Sequence, residues 1–269
     1  MLRRVKIVTS PGKAKRMKRI FRGDGKTVIV PMDHGVTLGP ANGLVDMQDT
    51  VNKLIDGGVD AMVLHKGIAS RVDTGTAGLI VHLSASTRLG PDPNRKVLVC
   101  SVEEALRMGA DGISIHINVG AETEPEMLYD LGIVADACDD FGIPLLAMMY
   151  PRGPKVTSEH DSELVAHAAR IGVELGADVV KTNYTGSPQS FERIVKSCPI
   201  PVIIAGGPKV ETASEFLKMV SDSIKSGAVG VSIGRNVFQS DNPTLMVRAL
   251  SSIVHLNASV AQASQILGV

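Results

Sequence analysis

An α/β fold, a (β/α)8 TIM barrel with an N-terminal helical extension, is predicted by three features of this 269-residue sequence. From Thr27 onward, short β-branched apolar runs alternate with helical stretches, and there are eight runs of the length of a buried strand. The apolar residues, 44% of the chain, are mostly Ala, Val, Ile, Leu and Met, with 27 glycines, 3% aromatics and no Trp. That composition suits a parallel sheet covered by helices better than a β-sandwich. Finally, the span from Thr27 to the end is close to the roughly 250 residues typical of such a barrel.

The strand runs, in order, are Thr27–Met32, Asp60–Leu64, Leu79–Leu83, Gly112–Ile117, Leu145–Met149, Asp178–Thr182, Val202–Ala205 and Val229–Ile233. An extra apolar run, Lys96–Cys100, falls between the third and fourth and makes the count less secure. The clear helical stretches are Ser101–Met108, Glu124–Asp140, Ser162–Leu175, Ser190–Ser197, Glu211–Ser226 and Thr244–His255. The first of these opens with a capping box, Ser101 to Glu104. Gly109-Ala110-Asp111, Gly176-Ala177-Asp178, Gly227-Ala228-Val229 and, more loosely, Gly57-Gly58-Val59-Asp60 each read as a helix end turning into the next strand. An open doubly wound sheet shares this rhythm, but no G-x-G-x-x-G follows the first strand, so a dinucleotide version has no support. No low-complexity linker splits the chain, so residues 1–269 read as a single barrel domain, with 1–26 as a basic extension.

The formal net charge is zero, which argues against a nucleic-acid binder, but the charges are unevenly placed. Residues 1–26 carry ten basic side chains against one acid, Asp24, a net of +9; the rest carries 18 basic against 27 acidic, a net of −9. The plain expectation is a solvated N-terminal helix on an acidic body. No apolar segment follows the charges as in a secretory signal, and no apolar run reaches the roughly 18 residues that cross a membrane. Cys100, Cys138 and Cys198 are widely spaced and form no C-x-x-C, which fits free thiols in a reducing cytoplasm.

Catalytic groups of a barrel sit at the carboxyl ends of its strands. Here those ends hold Asp33-His34-Gly35, His65-Lys66, His82, His116, Tyr150-Pro151-Arg152, Lys181, Gly206-Gly207 and Gly234-Arg235. Lys181 is the most informative. A lysine on a buried strand is either paired with an acid, such as a strand-end aspartate, or pushed toward the neutral amine, a nucleophile for carbonyls. Tyr150 and Asp33 close two other strands and can move protons. Glycines and an arginine after the last two strands stand where barrels bind phosphate. His65, His82 and His116 with Asp33 offer metal ligands, but no H-x-H or H-E-x-x-H is present, and no metal or other cofactor is expected.

With these residues aligned, the chain resembles the class I, Schiff-base aldolases of the archaeal type. The segments that carry the resemblance are Val28–Pro40 (VIVPMDHGVTLGP), Leu64–Ile68 (LHKGI), Met148–Gly153 (MMYPRG), Val180–Gly186 (VKTNYTG), Ala205–Lys209 (AGGPK) and Ile233–Gln239 (IGRNVFQ). The resemblance implies a metal-free barrel in which Lys181 forms the Schiff base, Tyr150 donates protons and Asp33 accepts them. It implies substrate contacts from Asp33, His34, Gly35, Val36 and Thr37, from Tyr150, Pro151 and Arg152, and from Gly206, Gly207, Gly234 and Arg235. It also implies a cytoplasmic homo-oligomer, often a decamer, acting on small molecules.

Within the family, the match is to members running a transaldol reaction between a phosphorylated keto sugar, 6-deoxy-5-ketofructose 1-phosphate, and aspartate semialdehyde, toward 3-dehydroquinate and the aromatic amino acids. Fructose-bisphosphate cleavage, or condensation of dihydroxyacetone phosphate with aspartate semialdehyde, is the alternative. Sugar-bisphosphate members carry an aromatic residue two places before the tyrosine, where this chain has Met148. A non-catalytic phosphate-binding barrel is the reading from another class.

Overall fold

The computed structural model describes residues 10–208 and 212–268. Residues 1–9, with Arg3, Arg4 and Lys6 of the basic arm, Lys209 of the AGGPK segment and Glu211, the expected start of one helix, lie outside the described residues. Eight parallel strands close a barrel: β1 (Thr27–Pro31), β2 (Ala61–His65), β3 (Gly78–His82), β6 (Gly112–Val119), β7 (Leu145–Pro151), β8 (Val179–Thr182), β9 (Val202–Ala205) and β10 (Gly230–Ser232). Around the barrel the order is β1, β10, β9, β8, β7, β6, β3, β2. The doubtful run Lys96–Cys100 is not a barrel strand. Its Val97–Leu98 (β5) pairs antiparallel with Ser84–Ala85 (β4), a small hairpin at the mouth.

The expected helices form with ends within a few residues: α5 (Val102–Arg107), α6 (Glu124–Asp140), α7 (Ser162–Glu174), α8 (Pro188–Ser197), α9 (Ala213–Lys225) and α11 (Pro243–Leu256). Ser101 caps α5 by accepting the Glu104 N–H, which is half of the expected capping box. Further helices are α1 (Pro11–Ile20), α3 (Met47–Gly57) and α12 (Val260–Leu267), with short turns α2 (Gly35–Leu38), α4 (Lys66–Ala69) and α10 (Arg235–Phe238). None among the described residues is long and apolar enough to cross a membrane. The repeated helix-to-strand turns rest on glycine; Gly176 and Gly227 have φ of 94° and 99°, a left-handed backbone disfavoured by a side chain.

Strand side chains alternate. Ile29, Val63, Ile80, Leu146, Met148, Val179 and Ile203 point into the barrel and pack together. Val28, Val30, Met62, Leu64, Ile113 and Val180 point out to the helix layer. Both faces are buried, which is why the strands read as unbroken apolar runs.

The basic arm is not simply solvated. Helix α1 lies across the amino end of the barrel, and its Ile20 joins the interior cluster, with Met17 and Phe21 packed against it. Three aspartates at strand starts hold it. Asp60, Asp111 and Asp178 each accept a backbone N–H from a neighbouring strand, Val28 at 2.6 Å, Leu79 at 3.0 Å and Leu145 at 2.8 Å. Each also receives a cation from the arm: Arg22 to Asp60, Arg19 to Asp111 at 3.2 Å and Lys13 to Asp178 at 2.8 Å. The repeated Gly-x-Asp motif is therefore a set of sockets for the arm, and part of the +9 and −9 charges meets there.

Lys13 is only 4% exposed. Burial disfavours its charge, but hydrogen bonds to Asp139 and Asp178 outweigh that and raise its pKa. Removing one partner of a buried pair costs about 3–5 kcal/mol. Lys13→Met is expected to lower the melting temperature by roughly 10 °C. The wild-type contribution is complete below the ordinary lysine pKa and is lost as pH rises through the elevated folded value, so the gap between the two proteins should close in strong alkali. Thermal melts against pH check this; an unchanged melting temperature would show that the socket contributes little.

Candidate active site

Strand alternation sets the site. On β8, Lys181 is two residues after the interior Val179, and on β7, Tyr150 is two after Met148, so both point inward. In register, Met148 lies opposite Lys181, and Tyr150 opposite Asn118 of β6. Asp33 follows β1 two places after Pro31. A cavity of about 430 Å³ opens at this carboxyl end. Asp33, His34, Thr37, Tyr150, Arg152, Lys181, Gly206, Gly207, Gly234 and Arg235 all line it.

Three expected contact residues, Gly35, Val36 and Pro151, are not part of this lining. Gly35 and Val36 are exposed on α2, whose other residues Thr37 and Leu38 face the cavity. Pro151 is buried at the end of β7, on the outer side of the alternation that turns Tyr150 inward. The lining also includes Arg88, Asn94, Lys96, His116, Glu159, Asn183 and Ser232, which strand-end reading leaves unassigned or, for His116, offers only as a metal ligand. Among the described residues, no group of three or more His, Cys, Asp or Glu is placed to hold a metal ion.

Lys181 is 6% exposed and pairs with no strand-start acid, since Asp178 is engaged by Lys13 at the opposite end. Its Nζ lies 4.0 Å from Met148 Sδ. Burial pushes its pKa down to about 8, helped by Arg152 and Arg235 and opposed by Asp33. The free amine is therefore a minor species near neutrality, about a tenth at pH 7, and grows as pH approaches 8.

Burial alone would raise the Asp33 carboxyl, but the charges of His34, His82, Lys181 and His65 hold it well below the usual range. Burial in turn drives His82 down to about 3 and lowers His34 and His65. Those rings carry charge at the acid pH where Asp33 titrates but not near neutrality, where Lys181 is the cation facing Asp33. Asp33 Oδ2 lies 3.7 Å from His82 Nε2, and His82 is fixed by Ser114 at 2.8 Å.

Tyr150 is raised above the normal phenol value, chiefly by burial, so it stays protonated. Its ring is held by the Arg152 guanidinium, 4.7 Å above it, and edge-on by His116 at 5.0 Å. Arg152 in turn donates to Glu159 at 2.9 Å.

The loops after β9 and β10 need glycine. A Cβ on Gly234 would lie 2.6 Å from both His34 Cε1 and Pro31 O, and one on Gly206 would lie 2.7 Å from Ile233. Asn236 donates to Gly206 O and Pro208 O at 2.9 Å and fixes the first loop. Among the described residues, Ser232 Oγ, Arg235 Nε and Asp33 Oδ1 are buried with no hydrogen-bond partner, as expected of groups that await a polar ligand.

The family profile for DeoC/LacD family aldolases matches residues 27–240, the barrel and the whole site. The chain belongs to this family. A 2-amino-3,7-dideoxy-D-threo-hept-6-ulosonate synthase of Archaeoglobus fulgidus is 49% identical over 263 residues, 96% of each chain. A 2-amino-4,5-dihydroxy-6-oxo-7-(phosphonooxy)heptanoate synthase of Streptomyces griseus is 48% identical over 89% of each. Among solved structures, an archaeal fructose-1,6-bisphosphate aldolase with its catalytic lysine bound to a carbinolamine intermediate superposes with a TM-score of 0.85. It is 37% identical and covers 89% of this chain and 98% of its own. The chain is thus an enzyme of the class I aldolase kind on a TIM barrel.

A pH dependence follows from Lys181. Only the neutral amine attacks a carbonyl. Activity (kcat/KM) is expected to rise with pH and level off above about pH 8, lying roughly 100-fold lower at about pH 6. A profile flat across that range would contradict the role given to the free amine.

Proposed function

We propose that this protein makes 2-amino-3,7-dideoxy-D-threo-hept-6-ulosonate from 6-deoxy-5-ketofructose 1-phosphate and L-aspartate semialdehyde. The observation that carries the chemistry is one cavity holding a buried Lys181 with no described carboxylate in ion-pair distance, an ionised Asp33 and a protonated Tyr150. The substrate choice is supported by the Archaeoglobus relative and by Met148, which occupies the place of an aromatic in the sugar-bisphosphate members.

In this reading, Lys181 Nζ condenses with a donor ketone and expels water. The iminium draws electrons as the neighbouring C–C bond breaks. The hydroxyl of the departing fragment gives its proton to Asp33, and a phosphorylated three-carbon aldehyde leaves. The enamine on Lys181 then attacks the aldehyde carbon of aspartate semialdehyde, whose oxygen takes a proton from Tyr150. Passage of one proton from Asp33 to Tyr150 resets both, and water releases the seven-carbon amino keto acid. Arg235 with Gly206, Gly207 and Gly234 receives the substrate phosphate. Such a product would feed 3-dehydroquinate and aromatic amino acids. We place the enzyme in the cytoplasm, where its three buried free thiols stay reduced. We also read it as a homo-oligomer; Tyr129 and Ile133, exposed one turn apart on α6, offer apolar surface to a second copy.

The Streptomyces relative favours a second reading, in which the ketone fragment is dihydroxyacetone phosphate and the acceptor is unchanged. Purified enzyme assayed with each donor plus aspartate semialdehyde, and separately with fructose 1,6-bisphosphate, decides between them. The first reading expects fast acceptor consumption with the keto sugar phosphate. Fast cleavage of the bisphosphate alone would overturn both.

A further inference from the structure

Lys96 is a cation of the cavity wall that the chemistry above leaves unused. It stands just before β5, on the loop linking the two strands of the mouth hairpin. Among the described residues, its Nζ bonds only neutral oxygens, Ser86 Oγ and Pro93 O at 3.1 Å. Among the described residues, no carboxylate lies within ion-pair distance of it. Arg152 beside it is already ion-paired, with Glu159 at 2.9 Å.

The loop is not free to swing away. Asn118 Nδ2 donates to Asn94 O at 2.7 Å, and Thr37 Oγ1 donates to Ser86 O at 3.0 Å. Asn118 is fully buried and is the register partner of Tyr150, so the ammonium is fixed relative to the phenol. The barrel order adds the decisive geometry. β3, which leads into the hairpin, and β6 stand diametrically opposite β9 and β10, whose loops carry Gly206, Gly207, Gly234 and Arg235. The cavity therefore has two cationic poles, with Lys181 and Asp33 on the walls between them.

We propose that Lys96 binds the carboxylate of the incoming aldehyde, making it a specificity-determining residue for the acceptor. This rests on the reading of aspartate semialdehyde as the acceptor. To take the Tyr150 proton, the aldehyde oxygen must lie beside β7, on the Lys96 side of the cavity. Its carboxylate then meets a half-buried ammonium with no described carboxylate in ion-pair distance, Asp33 and Asp92 acting on it only from farther off, and a charge-assisted hydrogen bond results. The phosphate that departs and the carboxylate that enters are held by separate groups, so an acceptor without a phosphate can still be oriented at the enamine. Burial and the nearby Arg152 push Lys96 down to about 8 against the weaker pull of Asp33 and Asp92, and a bound carboxylate adds to that pull and keeps it charged.

The test compares two readouts in Lys96→Met and Lys96→Arg. One is KM for aspartate semialdehyde, and the other is borohydride trapping of dihydroxyacetone phosphate on Lys181, which needs no acceptor. Losing a hydrogen bond to a charged group should raise the acceptor KM roughly 10- to 100-fold in Lys96→Met. Trapping should be retained, which also shows that the barrel and Lys181 are intact. Lys96→Arg should stay within a few-fold of wild type. An unchanged acceptor KM in Lys96→Met overturns the proposal, as does a parallel loss of trapping. If wild-type enzyme itself fails to consume aspartate semialdehyde, the reading of the acceptor falls first, and the proposal falls with it.

Discussion

Replacing Lys181 with alanine is expected to lower kcat by about 10⁴–10⁶-fold, the range seen when a covalent nucleophile is removed. The reason lies in what surrounds it. Among the described residues, the cavity offers no second lysine on the inner wall of the strands, and Lys96 stands on the hairpin loop at the mouth. Covalent electron withdrawal would then be gone, leaving only binding and proton transfer. The fold should survive, because Lys181 is not part of the Asp178 socket that anchors α1. Losing its charge should also raise the Asp33 pKa, since Lys181 is one of the groups that hold it down. Steady-state kinetics with a circular-dichroism control check this. A variant retaining a tenth of wild-type activity would exclude a covalent role for this lysine.

The second large effect is expected from Tyr150→Phe. The substitution keeps the ring, its contact with His116 and most of the cation contact with Arg152, and removes only the hydroxyl. Positioned proton transfer contributes about 10²–10⁴-fold, so turnover should fall by that factor. Borohydride trapping of ketose phosphate should persist if Tyr150 acts mainly after the Schiff base forms. Equal loss of trapping and turnover would move its role to the condensation step, and near-normal turnover would remove it from the chemistry.

Much of this was legible in residue order because barrel strands are buried on both faces. Eight runs such as Val202–Ala205 announce themselves, and the alternation that sends Val179 inward sends Lys181 inward too. Asp33, Tyr150, Arg152 and Arg235 are readable for the same reason, as the first polar groups after an apolar run. Harder to read was what depends on loops. Lys96–Cys100 has the composition of a strand, but its partner is a two-residue strand at the mouth. Lys96 and Asn94 reach the cavity only through that hairpin. Gly35, Val36 and Pro151 belong to matching motifs, yet a helical turn and a strand's outer face carry them off the wall. Helix α1 reads as a charged surface helix because its cations dominate the pattern. Its burial depends on acids at residues 60, 111 and 178, far along the chain.

The central claim is that Lys181 forms a Schiff base with a keto sugar phosphate, and one measurement addresses it directly. Enzyme is incubated with dihydroxyacetone phosphate, reduced with borohydride and examined by intact mass and peptide mapping. The account predicts one reduced ketose phosphate adduct per chain, located on Lys181 and absent from Lys181→Ala. A wild-type protein that remains unmodified, or an adduct that maps to another lysine, would contradict it.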